Sequence, residues 1–254
     1  MQLFVIGSGA SVPHPHRTSS SYWLETAAGT ILLDCGPSAM HRIAADGHNW
    51  AELDAIWISH FHLDHIGGLA PFLFATKYAP ETQGRTKKQR IFGPPGIREI
   101  ILQYDVAYDY GLLQQPYPIE VIEVSREFEV LNGLRAAVIS TPHTAESYAI
   151  RITSDDGGSL FFTSDTGFSD EVARFGSGCD LFITECSFVA NKPVTKHLEL
   201  RDALEMIRLA APRRAMLTHF YSEWDRVDFS ELTESEAGCE ILQAADGLRV
   251  PIGN

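Results

Sequence analysis

Four side chains of the kinds that bind metal ions lie within six residues of this chain: His60, His62, Asp64 and His65. Residues 53–59, directly before them, form a short, apolar, β-branched run that is typical of a buried strand. The loop after such a strand can turn the first two histidines to one side and Asp64 with His65 to the other. Imidazole and carboxylate are the usual ligands of zinc and similar cations. The segment therefore favours two metal ions lying close together, although a single-metal site also fits the spacing.

Three more residues of the same kinds lie in the second half of the chain: His143, Asp165 and His219. Each comes just after a predicted apolar strand; these strands cover residues 136–140, 159–163 and 215–218. Parallel strands present their carboxyl ends at one edge of a sheet, where ligands commonly bind. We therefore expect these side chains to meet the first loop at one rim.

Composition limits the class of protein. The chain has 254 residues, 44% of them hydrophobic, which is enough for one substantial domain or at most two small ones. Its net charge of −13 disfavours broad electrostatic binding of nucleic acid. Its cysteines are scattered and form no C-x-x-C pair, which predicts reduced core residues: Cys35, Cys179, Cys186 and Cys239.

The N-terminal residues enter a predicted strand at 3–6 without the charged and apolar regions of a signal peptide. No apolar run approaches the roughly 20 residues needed to span a membrane. We therefore expect a soluble, cytoplasmic protein that has no membrane partner.

The segment His60-x-His62-x-Asp64-His65 resembles the metal-binding motif of the metallo-β-lactamase superfamily. Two glycine-containing segments, at residues 7–10 and 93–96, resemble the branch that contains the tRNA 3′-processing endonuclease ribonuclease Z and related phosphodiesterases. The resemblance covers nearly the whole chain. It implies an α/β fold of the four-layer αββα sandwich type, with residues 1–254 as a single domain.

The resemblance also implies a dinuclear metal centre. It assigns His60, His62 and His143 to the first ion, Asp64, His65 and His219 to the second, and Asp165 as a bridge between them. Two Zn²⁺ ions are expected, with Mn²⁺ or iron as alternatives. Asp34 would support the site through a hydrogen bond rather than as a ligand.

The catalytic residues that the resemblance implies are Asp64, Glu185 and His197. Glu185 ends the predicted strand at 180–184, and His197 directly precedes the predicted helix at 198–210. In the ribonuclease Z branch, a glutamate and a histidine at matching places are thought to donate a proton to the leaving group. Glu185 would orient His197 and keep it charged. The alternative for His197 is a helix-capping or surface histidine.

Hydrolysis of a small phosphodiester, such as a cyclic nucleotide, is the leading functional hypothesis. Bacterial ribonuclease Z carries a tRNA-binding arm between the residues that match His143 and Asp165, whereas here only residues 144–164 separate them. This difference and the negative net charge make tRNA a less favoured substrate. Hydrolysis of a lactone, thioester or β-lactam is a second hypothesis. A non-catalytic binding protein is a third, and the complete ligand set argues against it.

Several features leave their alternatives open. His14 and His16 could contact substrate or be surface residues. The basic cluster of Arg85, Lys87, Lys88 and Arg90 is predicted to be a solvated loop rather than a phosphate-binding surface. Residues 66–78 are predicted as a helix, part of which, 72–78, could form a homodimer interface or belong to the core. Asp246-Gly247 predicts a hairpin between the strands at 241–244 and 248–250.

Overall fold

The computed structural model describes residues 1–229 and 238–253. The strands in these residues are β1 (Gln2–Gly7), β2 (Ser21–Thr26), β3 (Gly29–Leu33), β4 (Ala55–Trp57), β5 (Gln89–Gly93), β6 (Ile119–Glu123), β7 (Glu127–Leu131), β8 (Leu134–Ser140), β9 (Tyr148–Ser154), β10 (Ser159–Phe162), β11 (Leu181–Glu185), β12 (Arg214–Thr218), β13 (Glu240–Gln243) and β14 (Arg249–Pro251). The helices are α1 (Ala39–Ala45), α2 (Leu63–Ile66), α3 (Leu69–Tyr78), α4 (Ile97–Ala107), α5 (Asp170–Phe175) and α6 (Leu200–Ala210), with 3₁₀ turns at Trp50–Glu52, Pro80–Thr82 and Ser222–Arg226.

The strands form two mixed sheets. The first has the order β14-β1-β2-β3-β4-β5-β6, and the second has the order β13-β12-β11-β10-β9-β8-β7. Strands β3 to β6 run parallel to one another in the first sheet, as do β10 to β13 in the second. The carboxyl ends of each parallel set therefore lie along one edge of their sheet, where the loops after them can meet.

Alternating apolar side chains build the layers of the fold. In β1, Leu3 and Val5 pack into the core between the sheets, whereas Ile6 packs outward against the residues of α1, α3 and α4. Helices α5 and α6 contribute to the core on the side of the second sheet. Between the sheets, the ring of Tyr22 meets that of Phe162 edge-on, with centroids 5.1 Å apart. This arrangement confirms the predicted four-layer αββα sandwich.

The helix predicted at 66–78 is divided into α2 and α3. The break lies at Gly67 and Gly68, where the chain passes close to the loop after β3. The amide of Gly68 donates to the carbonyl of Cys35 at 2.8 Å. A Cβ atom on Gly68 would lie 2.2 Å from the carbonyl oxygen of Gly36, so a side chain there would collide with backbone. Strand β7 and helix α5 were not predicted.

The predicted C-terminal hairpin is wrong. Strand β13 pairs with β12 in the second sheet, and β14 pairs with β1 in the first. The Asp246-Gly247 turn therefore crosses between the sheets. The Asp246 carboxylate accepts hydrogen bonds from the amides of Ser8, at 2.9 Å, and Thr18, at 2.8 Å. These distant partners, rather than a local strand pairing, hold the turn.

The prediction of a solvated basic loop is wrong for Arg85. Its side chain is buried, donates to the carbonyl of Leu53 at 2.8 Å, and lies 4.6 Å above the ring of Tyr117. The exposed Lys88 forms an ion pair with Glu120 at 3.2 Å. Arg85 therefore stabilises the fold around β5 and is not available to bind phosphate.

The remaining general predictions concern the cysteines and membranes. Cys35, Cys179 and Cys186 are buried free thiols, and Cys239 is buried as well. No helix among residues 1–229 and 238–253 combines the length and apolar character that crossing a membrane requires.

Candidate metal centre

The loops after four strands bring the predicted ligands together. His60 follows β4, His143 follows β8, Asp165 follows β10, and His219 directly follows β12. Asp165 stands between the histidines, because each of its two carboxylate oxygens faces a different set of nitrogen atoms. The seven residues thus form two groups that share one carboxylate.

The first group consists of His60, His62, His143 and Asp165, whose donor atoms all lie within 4.8 Å of one another. Nε2 of His143 is 3.0 Å from Nδ1 of His62 and 3.7 Å from Oδ2 of Asp165. Nε2 of His60 is 3.9 Å from the same oxygen. Three imidazole nitrogens and one carboxylate oxygen therefore lie close enough together to hold one metal ion.

The second group consists of Asp64, His65, His219 and Asp165. Nε2 of His65 is 3.2 Å and Nε2 of His219 is 3.3 Å from Oδ1 of Asp165. The Asp64 carboxylate lies 3.4 Å from Nε2 of His219 and 3.6 Å from Nε2 of His65. Asp64, predicted both as a ligand and as a catalytic residue, thus has its carboxylate in this group.

Both groups fit a divalent cation. Ligands about 2.0–2.1 Å from a tetrahedral zinc ion lie about 3.3–3.4 Å from one another, which is close to the separations seen here. Of the six buried side-chain nitrogen and oxygen atoms that make no hydrogen bond among the described residues, three lie in this centre: Nε2 of His60, Nε2 of His65 and Oδ1 of Asp165. The last two are 3.2 Å apart but are not aligned as a hydrogen bond. Buried polar atoms are normally paired, so these three atoms point to a ligand that each group is built to hold.

The charges in the centre also favour a cation. Burial alone would raise the pKa of Asp165, but the charges of His219 and His65 outweigh it and hold that pKa well below its usual range. Burial would likewise lower the pKa of His65, yet the charges of Asp165 and Asp34 raise it well above its usual value. The Asp165 carboxylate is therefore ionised, and it favours positive charge on the second group. In the first group, burial and the charge of His65 lower the pKa of His60, which keeps that imidazole neutral and able to bind a cation.

Asp34 lies behind His65. Its Oδ2 atom is 2.7 Å from Nδ1 of His65, and its Oδ1 atom accepts from the amide of Ser59 at 2.8 Å. The residue has a φ of +58°, a left-handed conformation that an aspartate tolerates at some cost. The hydrogen bond directs Nε2 of His65 toward the second group, which agrees with the supporting role expected for Asp34.

Three more acceptors, which the sequence did not predict, orient further histidines. Nδ1 of His60 is 3.0 Å from Oγ of Ser59, and Nδ1 of His219 is 3.0 Å from Oγ of Ser187. Nδ1 of His143 donates to the carbonyl of Lys196 at 2.9 Å. Serines beside strand ends and backbone carbonyls carry no distinctive sequence pattern, although both serines stand within two residues of a predicted site residue.

Glu185 and His197 form a pair at the edge of the centre. Nδ1 of His197 is 2.9 Å from Oε1 of Glu185, whose carboxylate also accepts from the amides of Thr166 and Leu198 and from the hydroxyl of Ser187. Burial lowers the pKa of His197, but the hydrogen bond to Glu185 and its charge outweigh this and raise it to about 9. Glu185 is thus fully engaged as a hydrogen-bond acceptor, and His197 is held in its protonated form.

A pocket of about 540 Å³ opens onto the centre. The described residues that line it include His197 and candidate ligands from both groups, and none is a lysine or an arginine. Leu63, which is 68% exposed, and Tyr221, whose ring stacks on that of Phe188 at 5.1 Å, give the pocket an apolar rim.

His14 and His16 do not line this pocket. Nε2 of His14 lies 2.8 Å from Oδ2 of Asp225, and Arg17 contacts the same carboxylate. These contacts give His14 a partner in the loop after β12, and they do not support a contact with substrate.

The chain matches a protein-family model and is similar in sequence and fold to known proteins. A family model described as anti-Pycsar protein Apyc1 matches residues 1–240. Ribonuclease Z of Ignicoccus hospitalis is 29% identical over 153 residues, which cover 59% of this chain and 48% of that protein, so the match spans about half the length of that relative. The probable metallo-hydrolase YhfI of Bacillus subtilis is 28% identical over 225 residues, 86% of each chain. The crystal structure of that metallo-β-lactamase fold protein gives a TM-score of 0.81 at 22% identity and covers 99% of both chains, which confirms the predicted fold.

Proposed function

Because the chain belongs to the anti-Pycsar Apyc1 family, and because two groups of metal-binding side chains share Asp165 beside the Glu185–His197 pair, we propose that it is a metal-dependent hydrolase of small phosphodiesters. The observation that carries this proposal is the pair itself. A histidine held protonated at the mouth of a dinuclear site can protonate the oxygen that leaves when a P–O bond breaks.

In this proposal each residue has one task. His60, His62 and His143 would hold one cation, Asp64, His65 and His219 would hold the other, and Asp165 belongs to both groups and would serve both. Two bound cations supply Lewis-acid polarisation of the phosphoryl group and activation of water. Zn²⁺ suits these nitrogen and oxygen donors, with Mn²⁺ and iron as alternatives. His197 donates the proton to the leaving oxygen, and Glu185 orients it.

The composition of the pocket supports a small, singly charged substrate. A diester carries one negative charge, which the cations can match, whereas a nucleic acid needs several Lys or Arg contacts along its backbone. The described lining contains none, and the apolar rim at Leu63 and Tyr221 suits an organic group on either side of the phosphate. Between His143 and Asp165 the chain forms only β9, β10 and their turn. A cyclic nucleotide is one such diester, and tRNA is less favoured.

Two further proposals concern the assembly. We treat residues 1–254 as a single domain, because strands from both ends of the chain, β1 and β14, pair in the same sheet. A homodimer through α3 is supported by its exposed Phe74 and Tyr78, whereas Phe72 belongs to the core. Light scattering of the purified protein checks this second point.

The first experiment is hydrolysis of bis(p-nitrophenyl) phosphate by the metal-loaded protein, with the His197→Ala variant beside it. We expect the wild type to cleave the diester, and the variant to cleave it more slowly while its metal content stays the same, with a larger loss for diesters whose leaving group needs more protonation. A variant that also lost its cations would contradict the role given to His197. If the wild type bound two cations but cleaved no diester, hydrolysis of a lactone or thioester would replace the proposal. Cleavage of precursor tRNA in preference to cyclic nucleotides would favour the ribonuclease Z activity.

A further inference from the structure

Ser187 lies between the Glu185–His197 pair and His219, a candidate metal ligand of the second group. Its hydroxyl oxygen is 2.6 Å from Oε2 of Glu185 and 3.0 Å from Nδ1 of His219, and all three residues are buried. A serine hydroxyl has one proton to donate and two lone pairs that accept. Both oxygens of Glu185 already accept from backbone amides, those of Thr166 and Leu198, so the carboxylate is placed as an acceptor. The Ser187 proton therefore goes to Glu185, and the hydroxyl oxygen accepts from Nδ1–H of His219.

This direction of hydrogen bonding selects one tautomer of His219. With the proton on Nδ1, the lone pair of Nε2 faces the carboxylates of Asp64 and Asp165, at 3.4 and 3.3 Å. That tautomer is the one that can bind a cation through Nε2. Ser187 therefore prepares His219 as a ligand.

The same carboxylate also holds the proton donor. Oε1 of Glu185 lies 2.9 Å from Nδ1 of His197, and Oε2 takes the hydrogen bond from Ser187. The rings of His197 and His219 are nearly parallel, with centroids 5.6 Å apart. Glu185 thus contacts His197 directly and His219 through Ser187, whose Oγ also lies 3.4 Å from Nδ1 of His197.

We propose that Ser187 is a positioning residue that couples cation binding at His219 to the orientation of the proton donor His197. If a cation were bound at Nε2, it would polarise the ring, and the hydrogen bond from Nδ1 to Ser187 would become stronger, because adjacent hydrogen bonds reinforce one another. Ser187 would then hold the Glu185 carboxylate in the orientation that His197 needs. This inference rests on the proposed function, because it assigns a task to a residue of the same site.

Ser59 provides a matched control. Its hydroxyl oxygen is 3.0 Å from Nδ1 of His60 and 2.9 Å from Oδ2 of Asp34. Ser59 thus lies between a carboxylate and a histidine, as Ser187 does between Glu185 and His219. The second imidazole on Asp34 is that of His65, a candidate ligand and not a proton donor. Ser59→Ala therefore removes the same kind of hydrogen bond without touching His197.

The first measurement is zinc affinity, by competition with a chromophoric chelator. Loss of a group that orients a ligand costs about 10–100-fold in metal affinity. We expect Ser187→Ala to weaken one of the two binding steps by that amount, Ser59→Ala to weaken the other, and the double variant to weaken both. Unchanged affinity in Ser187→Ala would overturn the inference.

The second measurement compares two diesters that differ only in their leaving group, methyl p-nitrophenyl phosphate and methyl phenyl phosphate, at saturating zinc. Phenolate needs more protonation than p-nitrophenolate, so a misplaced proton donor lowers kcat/KM more for the phenyl ester. We therefore compare kcat/KM for the p-nitrophenyl ester with kcat/KM for the phenyl ester, and we expect the ratio of the first to the second to rise about tenfold in Ser187→Ala. This rise is a part of the 10²–10⁴-fold that a whole general acid contributes. In Ser59→Ala the ratio should stay at its wild-type value.

Two further variants test whether Ser187 acts through Glu185. In a Glu185→Gln background, Ser187→Ala should change the ratio no further, since both act through one carboxylate. Ser187→Cys, whose thiol is a weaker donor, should shift the ratio in the same direction by less, and it replaces Ser187→Ala if that protein fails to fold.

An equal rise in the ratio for Ser59→Ala would overturn the coupling. A wild type that cleaves neither ester would defeat the proposed function, whereas zinc affinity tests the tie between Ser187 and His219 independently.

Discussion

The centre has two halves, one around the carboxylate of Asp34 and one around that of Glu185, and this division differs from that into two ligand groups. Both halves contain the same arrangement of side chains, but the histidines that they orient have different proposed roles. In the first, Asp34 contacts His65 directly and His60 through Ser59; in the second, Glu185 contacts His197 directly and His219 through Ser187. The arrangement of a buried carboxylate, a serine and two histidines is thus repeated in each half. The repetition indicates that the carboxylate and the serine serve to orient imidazole rings.

The difference lies in where the directly bound histidine stands. The side chain of His65 is 0% exposed and faces Asp165, whereas that of His197 is 16% exposed and lines the pocket. A histidine enclosed by carboxylates is suited to hold a cation, and one at the mouth of the pocket can reach a substrate. Position in the fold, rather than residue type, therefore separates the proposed ligand from the proposed acid.

The largest expected effect comes from Asp165, the residue that the two ligand groups share. Asp165→Asn keeps the size of the side chain but removes the negative charge between the groups. We expect both cations to be lost and kcat/KM to fall by more than about 10⁴-fold, the upper limit for removal of a general acid alone. Elemental analysis and diester kinetics check this. Retention of two cations would refute the bridging role.

The pH dependence distinguishes His197 from His65. The proposed function requires His197 in its protonated form, so activity should fall as the pH rises through its pKa. That pKa is raised to about 9 by Glu185, and nearby cations lower it, so the falling limb should lie at or below pH 9.

Removal of His197 should abolish that limb. His197→Ala should also cost about 10²–10⁴-fold in kcat/KM for a poor leaving group. His65→Ala should instead lower the metal content, because its ring belongs to a ligand group. A pH profile that stays the same in His197→Ala would show that another group donates the proton.

Chelation should lower the stability of the protein through both ligand groups at once. A cation present at a hundred times its Kd stabilises the folded state by about 2.7 kcal/mol. Since 1 kcal/mol corresponds to about 2–4 °C in Tm for chains of 150–250 residues, each lost cation should lower Tm by about 5–10 °C. Calorimetry with and without EDTA measures this, and Asp165→Asn, already without cations, should show no further decrease.

The smallest effects come from the two supporting carboxylates. Asp34→Asn should weaken metal binding by about 10–100-fold and leave discrimination between good and poor leaving groups unchanged. Glu185→Gln should alter both quantities, since this carboxylate contacts the proposed proton donor directly and a proposed ligand through Ser187. Zinc titration and the paired diesters measure these outcomes. If the two variants behave alike, the two halves are functionally equivalent and the comparison fails.

Much of the fold could be predicted because local patterns encode it. Apolar β-branched runs indicated most strands, and ligand-type residues after those runs indicated the rim at which they meet. The C-terminal hairpin could not be predicted correctly, because Asp246 is held by Ser8, 238 positions away in sequence. The burial of Arg85 depends in the same way on the distant carbonyl of Leu53.

The sequence by itself determined which chemistry is present: five histidines and two aspartates after strand ends, with a glutamate and a histidine nearby. Only the tertiary structure decided how these residues are divided between tasks. It gave each oxygen of Asp165 to a different group, and it placed Ser59 and Ser187 behind two of the histidines. The physical reason is that hydrogen bonds and metal coordination depend on distances of a few ångströms between residues far apart in the chain. Those distances are set by the packing of the two sheets.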